Sequence, residues 1–523
     1  MSAAGALRVR KVAARLSARQ SRLRRIAPRP NGDDAVALER EIKLGIDADA
    51  ASSLLEHPLL GMLGGAPRRQ WLRSRYFDLD DSRLAGAGLA LRLRDDGSRH
   101  WLTLKAAGGD AFGHRRGEWE WPIDGDALSL PALQRALRET PLGALGLDAA
   151  ALLDGLRPRL GTAFERCSWR VDWRGSTVEV ALDRGSCQAW ASGALREAPL
   201  CEVELELLDG DWSACWELAW ALAQDIALPP SPINKAQRAA ALAAGRLPAA
   251  PADAAPPAAD AALGEALRAW LGGAAAQLAV WAERVRGSDD AHDVHQLRVV
   301  LRRLRTTLRW LRARASPRAL SGFDAELRWT MQVAAPVRDA DVALPLLRAV
   351  GAAPAVVDAL RREREVRLAR LRAHLRGARF ARLLLALARW SELDAADGSV
   401  RELAHDAVRA ELRAWRAARR RAAAVLARGK VADDDEVRAL HVLRIRCKRL
   451  RLACERFAGA LPKPKRHAAL ARRCEKLQGL LGDWHDAERL RQQTAGRLDA
   501  TSDAALRARA ADALRAARAL LGD

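Results

Sequence analysis

The residues with the most chemical content are acids and bases that alternate with apolar side chains. In the run Leu38 to Leu44, Glu39, Glu41 and Lys43 fall on one face of a strand, while Leu38, Ile42 and Leu44 take the other. One such run also fits a solvated strand face. The pattern recurs, however: Arg92 and Arg94 oppose Leu89, Leu91 and Leu93, and Lys105 opposes Leu102 and Leu104. Arg116, Glu118 and Glu120 oppose Trp119 and Trp121; Glu202, Glu204 and Glu206 oppose Val203, Leu205 and Leu207. A solvent-facing sheet mixes Thr, Ser, Gln and Lys on its polar face, whereas this face is almost purely carboxylate and cation. If the sheet closes, it encloses both signs of charge, and neither could be buried without the other. Interior acids suit a divalent cation, which prefers hard oxygen ligands. Interior guanidinium groups suit phosphate oxygens. Together they fit a metal–triphosphate complex.

A second set of charges follows a helical period. His295, Arg298, Arg302, Arg305 and Arg309 recur at three- and four-residue steps beside an apolar stripe of Leu297, Leu301, Leu304 and Leu308. At a distance of 146 residues, His441, Arg444, Lys448 and Arg451 repeat the arrangement beside Leu443, Cys447 and Leu450. Each copy is followed by a basic–acidic pair, Arg338–Asp339 and His485–Asp486. A lone stripe fits a solvated Arg-rich face. Duplication, with a His opening both copies, reads as one helical unit used twice to contact phosphates.

The elements that must position these residues divide the chain. Its 523 residues, 49% of them hydrophobic, exceed one compact core. Residues 36–245 are rich in short alternating runs broken by turn residues and read as mostly β, with helical pieces between. Residues 246–262 are a Pro/Ala run that reads as a linker. From 263 to 523 Ala, Leu and Arg dominate with helical periodicity, giving an all-α bundle with repeats at about 263–400 and 401–523. The net charge of +22 is unevenly distributed. Residues 1–30 carry +9, residues 31–246 carry −7, and the remainder carries +20. Residues 1–35 read as a disordered basic arm or as an over-long start. The positive balance calls for an anionic partner. Few aromatics interleave the basic stripes, which disfavours nucleic acid. No apolar run is long enough to span a membrane. Seven scattered cysteines without a CxxC pair point to a reducing, cytoplasmic compartment with neither disulfide framework nor zinc site.

The ordered segments EREIK, RYFDLDDSRLAGAGLALRLR, LTLK, RRGEWE, ALDRG and CEVELEL resemble the CYTH superfamily, the triphosphate tunnel metalloenzymes, over about 38–240. The resemblance implies an eight-stranded antiparallel β tunnel with flanking helices and hydrolysis of inorganic triphosphate (tripolyphosphate) with Mg²⁺ or Mn²⁺. It implies that Glu39, Glu41, Asp183, Glu202 and Glu204 lie on the metal side. It further implies that Lys43, Arg92, Arg94, Lys105 and Arg166 bind phosphate, and that Lys235 and Arg238 of SPINKAQR join them. Glu39, Glu41, Lys43 and Arg116 are the expected catalytic set. Ser231 departs from the family's Ser-Lys spacing, which leaves its part open. Activity on thiamine triphosphate or a nucleoside triphosphate is the alternative within enzymes.

The helical half resembles the CHAD domain through VHQLRVVLRRLRTTL with VRDADV and LHVLRIRCKRLRLACERF with LGDWHDAERL. That resemblance implies two pseudo-symmetric bundles that bind long-chain inorganic polyphosphate. The implied contacts are His295, Arg298, Arg302, Arg303 and Arg305 in one copy and His441, Arg444, Lys448, Arg449 and Arg451 in the other. Association with polyphosphate granules is the matching expectation. A binding protein whose tunnel only senses its ligand is the alternative outside enzymes.

Overall fold

The computed structural model describes residues 37–106, 112–191, 194–311, 317–393, 398–427 and 434–522. The basic arm expected over 1–35 lies outside them, as do the side chains of residues 37–39 and 113–116. The chain forms two compact units that divide between Ala249 and Ala250. Among the described residues no helix is long and apolar enough to cross a membrane.

The first unit contains eight strands: β1 (Ala37–Gly45), β2 (Arg68–Asp78), β3 (Leu89–Asp95), β4 (His100–Ala106), β5 (Gly113–Ile123), β6 (Arg157–Trp173), β7 (Ser176–Ala191) and β8 (Ala194–Asp209). They close into an antiparallel barrel in the order β1-β5-β4-β3-β2-β6-β7-β8. The closing pair is β1 with β8, in the register Lys43 opposite Glu204. Seven α-helices and a 3-10 helix (Pro141–Leu145) accompany the strands among the described residues: α1 (Ala48–Leu55), α2 (Pro58–Gly64), α3 (Arg83–Gly86), α4 (Leu130–Glu139), α5 (Ala149–Gly155), α6 (Ser213–Leu222) and α7 (Lys235–Ala243).

The alternation in the strands decides which side is apolar. Leu89, Leu91, Leu102, Leu104 and Trp121 point outward and pack under Leu133 and Ala136 of α4 and Ala149 and Leu152 of α5. Each buried leucine removes enough apolar surface to contribute about 2 kcal/mol. The main core therefore lies outside the barrel wall, and the charged face lines the interior. The barrel interior has its own small apolar cluster, Leu72, Phe164, Cys187 and Leu200, which packs on Ala239 of α7. Gly185 sits opposite Phe164, where a Cβ would come within 2.1 Å of the Ala163 carbonyl oxygen, so the glycine of the ALDRG segment permits the strands to meet.

The second unit is all helical over its described residues: α8 (Leu263–Gly287), α9 (Ala291–Trp310), α10 (Pro317–Ala349), α11 (Pro354–Arg376), α12 (Ala378–Leu393), α13 (Val400–Ala427), α14 (Asp434–Arg456), α15 (Pro464–Gln493) and α16 (Ala500–Gly522). The two basic stripes lie on α9 and α14. Their apolar neighbours, including Leu297, Leu301, Leu443 and Cys447, are fully buried. The two halves are not separate bundles. Ala343, Leu344 and Leu347, from the end of α10, share one core with Leu440 and Leu450 of α14 and Leu477 and Leu481 of α15.

Part of the Pro/Ala segment is tied to this unit. The Gln277 side chain donates to the Pro251 carbonyl at 2.8 Å, and Asp253 pairs with Arg303. Farther along, the Arg401 and Val400 amides donate to the Ala259 and Ala261 carbonyls at 3.0 and 3.1 Å. All seven cysteines are free thiols.

Candidate functional site

The barrel register aligns Arg166, Asp183 and Glu202 across β6, β7 and β8, with Glu204 two residues along β8 and opposite Lys43. Asp183, Glu202 and Glu204 each offer a carboxylate oxygen, and these oxygens lie within 4.8 Å of one another. Three cations hold the acids together. Arg166 donates twice to Asp183, at 2.7 Å each, and once to Glu204. Lys43 contacts Glu41 at 2.9 Å and also Glu204. Lys235 Nζ lies 2.7 Å from Asp183, 2.5 Å from Glu202 and 2.8 Å from Glu204.

The path of the chain explains how Lys235 arrives there. The Ser231 amide donates to the Lys43 carbonyl at 2.8 Å, which pins the segment to β1. Asn234 and Gln237 then form a reciprocal capping box that starts α7 at Lys235. Ser231 Oγ accepts from Arg238 Nη2 at 3.2 Å, so these two residues of SPINKAQR hold each other.

Burial and pairing set the charges. Burial opposes ionisation of Glu204, but Lys235, Lys43 and Arg166 outweigh it and hold its carboxyl well below the usual range. Burial raises the Glu202 pKa, with Lys235 opposing and Glu204 reinforcing. Lys235 and Lys43 also resist burial: the acids around them lift both above the ordinary lysine value. Glu202 Oε2 is buried and makes no hydrogen bond among the described residues.

The opposite wall carries Arg92, Arg94 and Lys105 beside Glu118 and Glu120. Arg92 Nη2 donates to Thr103 Oγ1 at 3.1 Å and approaches Glu118 and Glu120 at 3.4 and 3.5 Å. Lys105 pairs with Glu118 at 2.7 Å, and Thr103 Oγ1 donates to Glu120 at 2.8 Å. Arg94 Nε, like Arg92 Nε, is buried without a hydrogen bond among the described residues. Burial, followed by the charges of Arg92 and Arg166, lowers its pKa to about 10. It stays charged at neutral pH and makes no ion pair among the described residues, which suits it to binding an anion.

In the helical unit cations act on cations. Burial comes first for Arg302, then Arg298, Arg303, Arg451 and Arg444, which lower its pKa to about 10. Lys448 drops to about 7 through burial, Arg444 and Arg302, and Asp486 only partly offsets them. Neither Arg302 nor Lys448 makes an ion pair among the described residues. His295 falls to about 4 through burial and the charges of Arg338 and Arg302. His441 is also lowered, by burial and by His485, whose ring lies 5.5 Å away. Residues from both copies therefore form one group of mutually repelling cations.

Comparison with known proteins assigns both units. A CYTH domain matches residues 37–240, and a CHAD domain matches residues 269–495. The chain is a CYTH–CHAD fusion. Over 214 residues it is 29% identical to the inorganic triphosphatase of Haemophilus influenzae, covering 38% of this chain and 53% of that protein. The chain thus spans about half the length of that relative. An uncharacterized protein of Mycobacterium tuberculosis is 28% identical over 498 residues, 88% of each chain. The crystal structure of the CHAD domain from the plant Ricinus communis is similar at 25% identity, covering 52% of this chain and 95% of that one, with a TM-score of 0.39.

Not every expected residue lies in these groups. In the CYTH tunnel, Glu39 and Arg116 are backbone partners across β1 and β5, and their side chains lie outside the described residues. Glu41 is buried against Lys43 and apart from the three-acid cluster. In the CHAD domain Arg305 is bound to Asp324 at 2.8 Å, and Arg303 is held by Asp253. Burial, then Arg309, lowers the Arg449 pKa to about 10, with Glu411 opposing and Arg446 and Arg305 reinforcing. Arg298 donates to the Met331 carbonyl at 3.0 Å, and Arg451 pairs with Glu475 at 2.7 Å.

Three participants were not foreseen. Thr103 links Arg92 to Glu120, and its place two residues before Lys105 put it on the charged face. Phe164, two residues before Arg166, lies under both Lys235 and Arg166, with ring-centroid distances of 5.1 and 5.8 Å. Arg489 grips Asp339 with two hydrogen bonds, at 2.8 and 2.6 Å, across 150 residues of sequence, and no local pattern signals it.

Proposed function

We propose that the CYTH tunnel hydrolyses inorganic triphosphate with Mg²⁺ or Mn²⁺ and that the CHAD domain holds inorganic polyphosphate. The observation that carries the reading is a closed barrel whose interior holds a three-acid cluster together with cations. Asp183, Glu202 and Glu204 converge on one wall, whereas Arg92, Arg94 and Lys105 project from the other. Similarity to the Haemophilus inorganic triphosphatase supports it.

The residues fit a divalent ion. Three carboxylates with converging oxygens are a hard donor set, and the buried, unpartnered Glu202 Oε2 is a ligand atom in waiting. Asp183, Glu202 and Glu204 would hold the ion, which when bound neutralises phosphate charge and polarises the phosphoryl group. The chain's own residues supply the rest. Arg92, Arg94 and Lys105 bind the phosphate oxygens and stabilise charge on the leaving group. Glu118, Glu120 and Thr103 fix the orientation of Arg92 and Lys105. The apolar cluster around Phe164 keeps water from one part of the interior, where charge interactions are correspondingly stronger.

For the CHAD domain, the carrying feature is the set of cations that lack carboxylate partners, Arg302 and Lys448 above all. A polyanion relieves their repulsion. Covalent attachment of such a domain raises the local concentration of phosphate chains near the enzyme.

Phosphate release from tripolyphosphate, ATP and thiamine triphosphate, each with Mg²⁺ or Mn²⁺, tests the enzyme reading. Tripolyphosphate is expected to be cleaved fastest. Equal, metal-independent rates on all three substrates would overturn it. Retention of long polyphosphate in a native gel tests the second half, and duplex DNA competing equally well would overturn the partner assignment.

A further inference from the structure

The cation closest to the three acids belongs to the protein itself. Lys235 Nζ contacts all three carboxylates of the Asp183–Glu202–Glu204 cluster, at 2.5–2.8 Å. No other lysine does so among the described residues: Lys43 reaches Glu204 and Glu41 only. An ammonium at hydrogen-bond distance from three carboxylates occupies the space into which their oxygens converge, and a divalent ion needs the same oxygens at shorter range. Both cannot occupy that space, because the ion needs the carboxylate oxygens that Lys235 Nζ already engages.

We propose that Lys235 is an internal competitor for the divalent ion, so that the ion binds by displacing the Lys235 ammonium from the acid cluster. The proposal rests on the reading of these acids as the metal ligands. Three further observations support the exchange. Lys235 is the first residue of α7, so its side chain can swing without unwinding the helix. The Phe164 ring lies 5.1 Å from Nζ and offers a surface along which the ammonium can move. Arg166 stays bidentate on Asp183, so the cluster keeps its geometry when Lys235 leaves. Once displaced, the ammonium is a cation within the tunnel with no carboxylate of its own, and a phosphate oxygen is its natural partner. Lys235 would then couple metal binding to substrate binding.

The test is calorimetric titration of the full chain with Mg²⁺, without substrate, for wild type and Lys235→Met. A nuclear magnetic resonance titration of the Lys235 side chain, assigned by its loss in Lys235→Met, accompanies it. The account predicts at least about tenfold tighter Mg²⁺ binding by Lys235→Met. It also predicts that the wild-type Lys235 Cε and Nζ resonances shift on saturation with Mg²⁺ while those of Lys43 move less. A neutral side chain would tighten binding even if Lys235 stayed in place, so the resonance shift is the deciding arm. Unchanged Lys235 resonances at saturating Mg²⁺ would overturn the proposal, as would unchanged or weaker Mg²⁺ binding by Lys235→Met. If wild type cleaves tripolyphosphate with Mg²⁺ while either result holds, the enzyme reading survives and only the exchange fails. If wild type neither binds Mg²⁺ nor cleaves, both fail.

Discussion

The CYTH tunnel and the CHAD domain both concentrate charge, but they balance it in opposite ways. In the tunnel, Lys43, Lys235 and Arg166 are matched to Glu41, Asp183, Glu202 and Glu204, and the paired groups are mostly buried. In the CHAD domain, Arg302 and Lys448 face other cations, which Asp486 only partly offsets at Lys448. The first pattern is a prearranged site in which each charge depends on its partner. The second stores repulsion that an anion relieves. The chain's large positive charge therefore lies in the unit proposed to hold an anion, whereas the candidate chemistry lies in the segment whose net charge is −7.

Breaking one tunnel pair is expected to have the largest effect. Glu204→Gln removes a shared partner of Lys43, Lys235 and Arg166. It should lower stability by about 3 kcal/mol, since uncompensated buried charges remain, and reduce triphosphate hydrolysis by roughly 10²-fold or more. Denaturant unfolding and phosphate release measure the two effects. In the CHAD domain removal of a charge should act the other way on stability. Lys448→Met should stabilise the protein by about 1 kcal/mol while weakening polyphosphate retention. Equal destabilisation in both domains would erase the contrast.

How much of this was legible in the sequence depends on the range of the signal. Strict alternation in LEREIKL and CEVELEL exposed the charged interior, because strand geometry puts every second residue on one face. The two histidine-led stripes exposed the CHAD repeat, since their apolar neighbours follow a helical period. The strand RRQWLRSRYFD carries no such signal: four arginines break the apolar alternation, and its pairing with β3 and β6 is what orders it. The full length of β6, β7 and β8, 16–17 residues each, was likewise hidden by short turns. Within the site, alternation put Glu41 and Lys43 on one face, and Lys43 bridges Glu41 to Glu204 of the acid cluster. The convergence of Lys235 on three acids depends on the Ser231–Lys43 backbone bond, a tertiary contact without local signature. The continuous core of the CHAD halves depends on the length of α10, which no repeat comparison reveals.

The pH dependence sharpens the same contrast. Lys448 titrates near 7 in the folded chain, below the ordinary lysine value of 10.5. Between those values the unfolded chain binds the extra proton, so the contribution of Lys448 to stability rises with pH from about 7 to 10.5. Polyphosphate affinity should fall over the start of that interval as the charge is lost. At pH 7 binding should take up protons, detectable by calorimetry in buffers of different ionisation enthalpy, and Lys448→Arg should reduce that uptake. Glu204 behaves oppositely. Its depressed pKa gives stability that is present above the unfolded value of 4.5 and lost as the pH falls through the folded value. The smallest effect is expected from Arg489→Ala, which removes the partly exposed pair with Asp339 and should cost about 0.5 kcal/mol or less.

The most direct test compares two variants of the full chain on one substrate. The initial rate of phosphate release from tripolyphosphate with Mg²⁺ is measured for wild type, for Glu202→Gln, and for the double variant Arg302→Ala with Lys448→Met. The account predicts that Glu202→Gln loses the activity and that the CHAD double variant keeps a near wild-type rate. Loss of hydrolysis in the double variant with retention in Glu202→Gln would contradict the assignment of chemistry to the tunnel.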